Sequence, residues 1–299
     1  MITPGWLETY RGAVARWEVD NVDHFTVAFY FDRLEHAMLG LLETVGLGPD
    51  YMARARHGCV PVDTFVRYMR ELRVGDILHV ESGVIDADEA GLHVGHKLFD
   101  SETRTVCASF EQRLAHVALP GRTPVALSAA QRQAIEARRV SWDGPAREPR
   151  RAPQALVGFL DSGRDVVKPI ELNLAGESAL SHYVHRFSAA GGHLMSDIGF
   201  TPAYMRNERR GFSTFEFQMT FGGPLLPGTP VQVKSALLHV GSSSLHMCHQ
   251  MHNGRTGEHA ATLHQLGVHL DMNARRPAPL PEAIRVKAKD RLAPSGPGP

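Results

Sequence analysis

The 299-residue sequence has few cysteines, no excess of charge of either sign and no long apolar run. Three cysteines without metal-like spacing argue against a disulfide framework and favour a reducing compartment. Lys+Arg and Asp+Glu both total 32, which is not the basic excess of a nucleic-acid-binding protein. No stretch approaches the length of a membrane span, and the N-terminal residues lack the basic and apolar regions of a signal peptide. We therefore expect a cytoplasmic protein that binds neither nucleic acid nor membranes.

What the sequence does contain is an internal duplication. Residues 11–117 align with residues 164–270 at a constant offset and without a gap, and 24 positions are identical. Composition alone would give roughly 6 or 7 identities over this length. The identical positions include His93, His96 and Gln112, which align with His246, His249 and Gln265. Because each copy can mutate by itself, the positions where the copies differ are as informative as those where they agree.

Within each copy the apolar spacing predicts a strand, one long helix and an antiparallel meander. The helices are predicted from Val27 to about Gly46 and from Leu180 to Gly199. The first strands are predicted at residues 11–19 and 166–172. Alternating apolar residues predict the other strands at 59–72, 77–87, 92–99 and 103–117, and at 212–221, 231–240, 245–252 and 259–270. A sheet that encloses the apolar face of the single helix is the expected packing of each copy.

The duplication divides the chain into four parts. We expect one unit at residues 1–120, a linker at 121–162, a second unit at 163–273 and a Pro-rich tail at 274–299. Within the linker, Ser128 is a candidate N-cap for a short helix, residues 129–139. The end of the tail is expected to be poorly ordered.

The region from residue 16 to residue 52 contains the segment WEVDNVDHFTVAFYFDRLEH. It resembles thioesterases of the 4-hydroxybenzoyl-CoA thioesterase-like family, in which an apolar strand ends near an Asp, a His often follows, and the first helical turn carries an aromatic residue. Asp20, His24 and Tyr30 match this pattern. Asp23 departs from it where Gly is usual, and Thr26-Val27 replaces a common Asn pair. The resemblance covers both copies and implies an α+β tandem (double) hotdog, in which two antiparallel sheets each wrap around a long central helix.

The resemblance also implies an active site at the start of the first helix. Asp20 occupies the position of the catalytic carboxylate, which acts as nucleophile or general base. Val27 occupies the position whose backbone amide polarises the thioester carbonyl. His24, Thr26 and Tyr30 are expected to bind substrate. No cofactor is implied. We expect no metal site at His246, His249 and His252, because steps of three residues alternate between the faces of a strand.

The second copy lacks the carboxylate. Asn173 aligns with Asp20, and Glu177 aligns with His24. Since Asn is neither a strong base nor a strong nucleophile, we interpret the second site as degenerate, with one Asp-type site per chain. Glu177 lies close to the start of the second helix and is expected to be a surface or capping residue. Whether the second site has any activity stays open.

We expect an acyl-CoA thioesterase that hydrolyses a small or medium acyl-CoA. Two alternatives stay open: a hotdog enoyl-CoA hydratase or dehydratase, and a non-catalytic acyl-CoA or acyl-carrier binding protein. The acyl group could be betainyl-type, aromatic or aliphatic, and its carrier CoA or acyl-carrier protein. An aromatic cage for a quaternary ammonium is one interpretation of four aromatic residues that are otherwise core residues: Trp17, Phe25, Phe29 and Tyr30. The oligomeric state also stays open, with a homo-oligomer of double-hotdog chains as one form.

Overall fold

The computed structural model describes residues 5–20, 22–150, 153 and 156–294. The described residues form two compact units. The first contains those up to Arg147 together with Glu171–Ser181, and the second contains those of Glu148–Ile170 and those from His182 onward. The loop that leads into the long helix of the second repeat therefore belongs to the first unit.

The first unit is an antiparallel sheet with one long helix. The sheet has the strand order β1-β3-β4-β5-β2, and β6 pairs with β5. In chain order the elements are β1 (Leu7–Ala13), α1 (Val27–Thr44), α2 (Pro49–Ala55), β2 (His57–Tyr68), β3 (Ile77–Ala87), β4 (Gly91–Asp100), β5 (Val106–Ala118), β6 (Thr123–Pro124) and α3 (Ala129–Glu136). The predicted meander and the short helix after Ser128 are both present.

The second unit repeats this plan. Its antiparallel sheet has the order β8-β11-β10-β9-β7, and β12 pairs with β11. In chain order the elements are β7 (Leu160–Val166), α4 (Leu180–Asp197), α5 (Pro202–Asn207), β8 (Arg210–Phe221), β9 (Pro230–Val240), β10 (Ser244–Asn253), β11 (His259–Asp271), β12 (Arg276–Pro277) and α6 (Glu282–Asp290). The predicted tandem hotdog of α+β class is confirmed. None of the described helices is long and apolar enough to span a membrane.

The long helix α1 is held by its apolar face. Phe31, Leu34, Leu41 and Leu42 are almost fully buried, and each such side chain contributes roughly 1.5–3 kcal/mol when it leaves water. The C-terminal half of the helix packs on residues of β2 to β5, including Val84, Val94 and Leu114. The helix ends where Gly46 adopts a positive φ of 72°, a conformation that glycine adopts without strain. This packing fixes the direction and position of the helix N-terminus.

The first strand of each repeat lies earlier than predicted. The prediction of residues 11–19 was wrong in its second half, because β1 ends at Ala13, opposite Ile77 at the start of β3. Beyond this point Val14 bonds to the turn that precedes β3, and the chain then forms a 3₁₀ helix, Arg16–Glu18. The prediction of residues 166–172 was wrong for the same reason. Here β7 ends at Val166, opposite Pro230 at the start of β9.

Part of the tail is ordered, which the sequence did not predict. The helix α6 buries Ile284 and Ala288 against Leu194, Ile198 and Leu237 of the second unit. The expected disorder at the end of the tail concerns residues 295–299, which lie outside the described residues. Two further short helices, α2 and α5, were also missed, although both begin with a proline at the first helical turn.

Candidate active site

Asp20 is fixed by a tight turn between the 3₁₀ helix and α1. Its Oδ1 accepts hydrogen bonds from the amides of Val22 and His24, at 2.9 and 3.0 Å. The backbone closes the same turn, because the Asp20 amide donates to the His24 carbonyl at 2.9 Å. The turn uses one carboxylate oxygen and holds the side chain in place. The other oxygen, Oδ2, takes no part in it.

The departure at Asp23 has a conformational explanation. Asp23 adopts a φ of 59°, and the aligned residue of the second repeat, Gly176, adopts a φ of 78°. This left-handed conformation favours glycine, and Asp is among the few other residues that adopt it readily. The position therefore requires a left-handed backbone conformation, which Asp23 adopts where the family usually has Gly.

The first helical turn of α1 follows this loop directly. Val27 is the first residue of α1, so its amide is one of the donors that an α-helix leaves without an intrahelical acceptor. The helix dipole adds a partial positive charge at the same end. Thr26 is the N-cap residue, its side chain makes no capping hydrogen bond, and its amide donates to the Glu18 carbonyl at 2.8 Å. The Asp20 carboxylate and the N-terminus of α1 therefore lie on consecutive turns of the chain.

His24 and Tyr30 have partners inside the first unit. The His24 Nε2 lies 2.7 Å from Oε2 of Glu71. Tyr30 is buried, its ring packs edge-on against Tyr68 at a centroid distance of 5.2 Å, and its hydroxyl bonds to the Leu72 backbone. Burial raises the pKa of Tyr30 well above the usual range of a phenol. The structure therefore places Tyr30 in the core, and roles for His24, Thr26 and Tyr30 in substrate binding stay predictions.

A buried ion pair joins the 3₁₀ helix to α1. The Arg33 guanidinium donates to Glu18 through Nη2 at 2.5 Å and to Asp32 through Nη1 at 2.5 Å. The other oxygen of Glu18 accepts from the Ala15 amide at 2.8 Å. The guanidinium also lies 5.7 Å from the centroid of the Phe25 ring. One face of that ring is therefore occupied by a cation of the protein itself, which supports the interpretation of Phe25 as a core residue.

The second loop has the same turn with an amide in place of the carboxylate. Asn173 Oδ1 accepts from the amides of Ala175 and Glu177, at 2.9 and 3.3 Å. The Asn173 amide donates to the Glu177 carbonyl at 2.8 Å, as Asp20 does to His24. The turn needs only one acceptor oxygen, which both side chains supply. The change from Asp to Asn therefore preserves the loop and removes the charge.

Glu177 is not a surface residue, so the surface half of that expectation was wrong. It is only 4 % exposed, and its carboxylate forms a bidentate ion pair with Arg122. Arg122 follows the short loop after β5, which the sequence did not connect with this loop. Such a pair neutralises Glu177 and attaches the second loop to the first unit. The side chain is engaged in this ion pair.

A carboxylate that the sequence did not single out lies at the start of α4. Glu35 of α1 accepts a hydrogen bond through Oε2 from the Leu180 amide at 3.2 Å, and it also bonds to the Asn173 side chain. Burial raises the pKa of Glu35 to about 7 against the opposing effect of these two bonds. Leu180 aligns with Val27, so this amide is the second copy's counterpart of the proposed carbonyl-polarising donor. In the alignment of the two repeats, Glu35 corresponds to Ser188. This difference was the one sequence signal that set Glu35 apart.

A cavity of about 420 Å³ adjoins the second loop. Leu174 and Ala175, which follow Asn173 in the turn, form part of its wall. Its other lining residues come from α2 and its C-cap and from the loop after β5: Pro49, Asp50, Met52, Ala53, Arg56, Leu119 and Pro120. The volume falls within the range of small-molecule pockets. The described part of the chain thus has a cavity beside the loop that lacks the Asp.

Sequence comparisons identify relatives of both repeats. The thioesterase-like superfamily matches residues 14–135 and 167–288. An L-carnitine dehydrogenase/betainyl-CoA thioesterase of Agrobacterium fabrum is 32 % identical over 127 residues, 42 % of this chain. A betainyl-CoA thioesterase of Pseudomonas aeruginosa is 27 % identical over 115 residues, 38 % of this chain. The matched regions span 26 % of the length of the Agrobacterium protein and 72 % of the Pseudomonas protein.

Solved structures share the fold over most of the chain. An acyl-ACP thioesterase from Bacteroides thetaiotaomicron superposes with a TM-score of 0.67 at 11 % identity, and covers 88 % of this chain and 98 % of its own. The 12:0-ACP thioesterase from Umbellularia californica superposes with a TM-score of 0.68 at 12 % identity, and covers 92 % of this chain and 95 % of its own. At these identities the likeness concerns the fold alone. The match to both repeats shows that the chain belongs to the thioesterase-like superfamily.

Proposed function

We propose that this protein is an acyl-CoA thioesterase in which Asp20 is the nucleophile or general base and the Val27 amide polarises the thioester carbonyl. The observation that supports the proposal is the turn that fixes Asp20 through Oδ1 alone, immediately before the free amides of α1. A carboxylate held through one oxygen keeps the other for chemistry. A helix N-terminus supplies a preorganised donor for the oxyanion that develops during acyl transfer.

The reaction needs only these two groups and water. In the general-base form, Asp20 takes a proton from a water molecule while the water oxygen bonds to the carbonyl carbon. The carbonyl electrons move to its oxygen, which the Val27 amide stabilises. The carbon–sulfur bond then breaks, and the leaving thiolate takes the proton from Asp20. The products are a carboxylic acid and free CoA thiol, and the carboxylate of Asp20 is restored.

Betainyl-CoA is the first thioester to test, because two of the curated relatives carry that activity in their names. Recognition of its quaternary ammonium by the cluster around Phe25 is not favoured, since Arg33 already lies against that ring. Trp17 is 79 % exposed and stands apart from the buried aromatic residues. The proposal therefore names a small or medium acyl-CoA as the substrate class, and the acyl group is a question for the assay.

The test is thiol release from a panel of acyl-CoAs, read with a thiol dye, with betainyl-CoA, short aliphatic and aromatic members. Asp20→Asn should abolish most turnover, by about 10²-fold, and should keep the fold because Asn forms the same turn at position 173. Asp23→Asn is the matched control, since it removes an exposed carboxylate from the same loop at a position where Asn also tolerates the left-handed backbone. A near-wild-type kcat in Asp20→Asn would rule out Asp20 as the principal catalytic group.

The same panel separates the two alternatives. An enoyl-CoA hydratase or dehydratase would change the absorbance of an enoyl-CoA and release no thiol. A non-catalytic binding protein would retain acyl-CoA or acyl-carrier protein in a filter or calorimetric assay without turnover. Comparing the same acyl group on CoA and on acyl-carrier protein identifies the carrier.

A further inference from the structure

The cavity of about 420 Å³ lies within the first compact unit, to which every residue of its wall belongs. The proposed catalytic residue Asp20 is not part of that wall. Seven of the lining residues have apolar side chains, and the two others, Asp50 and Arg56, are charged. Small-molecule sites have this composition, in which apolar residues cover most of the ligand and a few polar groups orient it. The cavity is therefore a candidate binding site separate from the one that contains Asp20.

The backbone of Arg56 is fixed in the wall of the cavity. Its amide donates to the Met52 carbonyl at 3.0 Å, and its carbonyl accepts from the Leu119 amide at 2.8 Å. Its φ is 55°, at a left-handed helix C-terminus where glycine is the usual residue. The aligned residue of the second repeat, Arg209, has a φ of 50°. Because arginine has no preference for this backbone conformation, its side chain is the reason for an arginine here.

The two charges of the cavity are not neutralised by other side chains in the part of the chain that the structure describes. No described residue forms an ion pair or a hydrogen bond with the Asp50 carboxylate or the Arg56 guanidinium. Arg54 of the same helix bonds to the backbone carbonyl of Asp50 at 3.2 Å, and not to its carboxylate. Arg122, from the loop after β5, is already paired with Glu177. A ligand in the cavity therefore meets the Arg56 cation and the Asp50 anion.

Asp50 and Arg56 stand at opposite ends of α2. Asp50 is the second residue of this seven-residue helix, and Arg56 is its C-cap. Six residues of helix separate their Cα atoms by about 9 Å along the axis. Met52 and Ala53, which lie between them in the sequence, also line the cavity and are apolar. A ligand that contacts both charges therefore needs a carboxylate and a cation joined by a short apolar chain.

The side chains around each charge indicate which group it would bind. The planar guanidinium of Arg56 has paired N–H donors, which match the two oxygens of a carboxylate. A primary ammonium has three N–H donors that need acceptors, but Asp50 is the one carboxylate in the wall, and its neighbours Pro49 and Ala53 have apolar side chains. A quaternary ammonium has no N–H donor. Its methyl groups can pack on the apolar residues while its charge attracts the carboxylate.

We propose that this cavity binds a small zwitterion, whose carboxylate contacts Arg56 and whose quaternary ammonium contacts Asp50. The inference goes beyond the proposed function and does not depend on it, because it concerns binding without chemistry. Leu174 and Ala175 complete the wall from the second loop, in which Asn173 stands where the first repeat has an Asp. The ligand would therefore lie against the loop that lacks the carboxylate.

The second repeat does not reproduce this pair of charges. The residue of α5 that aligns with Asp50 is Ala203, whereas Arg209 matches Arg56. The aligned segment thus has the cation without the anion. The zwitterion site is expected in the first repeat alone, and Arg209 provides a matched control for Arg56.

The experiment is isothermal titration calorimetry of the full chain with three probes of similar shape. The zwitterion is γ-(trimethylammonio)butyrate. Its carbon isostere, in which a carbon atom replaces the ammonium nitrogen, has only the carboxylate, and butyltrimethylammonium has only the cation. We expect the zwitterion to bind about 10-fold more tightly than either probe with a single charge, because each charged contact contributes about that factor.

Two variants assign the two charges. Asp50→Ala should bind the zwitterion about 10-fold more weakly and no better than the carbon isostere, and Arg56→Gln should bind it about 10-fold more weakly and no better than butyltrimethylammonium. Both side chains are exposed, so the fold should be retained. Arg209→Gln removes an exposed arginine with the same backbone conformation from outside the cavity, and it should bind the zwitterion as the wild type does.

The outcomes separate this site from the proposed active site. Asp20→Asn should bind the zwitterion with unchanged affinity, because Asp20 does not line the cavity. Loss of binding in that variant would place the ligand at the proposed active site and overturn the inference.

Three other results would overturn it as well: no binding of the zwitterion at about 10 mM, equal affinities of the wild type for the zwitterion and its carbon isostere, or equal losses in Arg56→Gln and Arg209→Gln. Since the titration contains no thioester, a chain that hydrolyses none would overturn the proposed function alone.

Discussion

The loops that begin at Asp20 and at Asn173 have the same hydrogen bonds and a first residue of different charge. In each, the side-chain Oδ1 accepts from the amides two and four residues later, and the backbone closes the turn between the first and fifth residues. Each loop also returns to a glutamate carbonyl, from Thr26 to Glu18 and from Ala179 to Glu171, both at 2.8 Å. The fold constrains one atom of the first side chain. The other side-chain atom is free to change, and it is an oxygen in Asp20 and a nitrogen in Asn173.

The surroundings of the two loops differ more than the loops themselves. His24 contacts Glu71, whereas its counterpart Glu177 contacts Arg122. After a duplication, a side chain can be lost from one copy when another element supplies the same group. Glu35 of α1 bonds to the Asn173 side chain and so places a carboxylate beside the second loop. The difference between the surroundings of the two loops can be tested by measuring the stability of variants, independently of activity.

The largest effect on stability is expected from the ion pair that holds the 3₁₀ helix to α1. Arg33→Met should lower the free energy of unfolding by about 3–5 kcal/mol, because it leaves the Glu18 carboxylate buried without its cation. Urea denaturation of the two proteins measures the difference. Arg11→Met is the control, since Arg11 pairs with Glu8 at the surface, where water screens the pair and little stability depends on it. Equal losses in the two variants would contradict the structural role of Arg33.

A smaller loss is expected where the second loop is attached. Glu177→Gln should cost about 3 kcal/mol, the low end for a broken buried pair, because Arg122 keeps some exposure to water. His24→Gln in the first loop should cost less, because Glu71 is more exposed than Glu177. Thermal unfolding of both variants orders the two losses. A larger loss of stability in His24→Gln than in Glu177→Gln would contradict the expectation that the second loop is held more strongly.

The smallest effect concerns the left-handed position that the loops share. Gly176→Ala should destabilise the protein by about 1–2 kcal/mol, because φ is 78° there and an alanine Cβ opposes that conformation. No neighbouring atom lies within 4 Å of such a Cβ, so the cost is conformational. Asp23→Gly, the reciprocal change, should be neutral or slightly stabilising. If Gly176→Ala leaves the free energy of unfolding unchanged in the same denaturation series, the backbone of the second loop adjusts to the alanine and the expected strain is absent.

Much of the architecture could be predicted from local patterns. The long helices were placed within about two residues because their apolar spacing continues over five turns, and a helical period is a strong signal at that length. The meander strands follow from alternation between turns. The first strands were displaced because a strand ends where its partner begins, at Ile77 and Pro230, and that partner is distant in the sequence. The missed helix α6 follows a Pro-rich stretch, and its burial depends on contacts that the tail sequence does not contain.

The sequence by itself determined the duplication, the hotdog plan and the position of Asp20 before the first helix, because each depends on local spacing or on the comparison of the chain with itself. Only the tertiary structure decided what lies beside each loop. Glu35 and Leu180 are 145 residues apart in the chain and 3.2 Å apart in space, and Arg122 reaches Glu177 across 55 residues. A repeating pattern in the sequence cannot predict such contacts. They form only when the loop of the second repeat packs against the sheet and helix of the first unit.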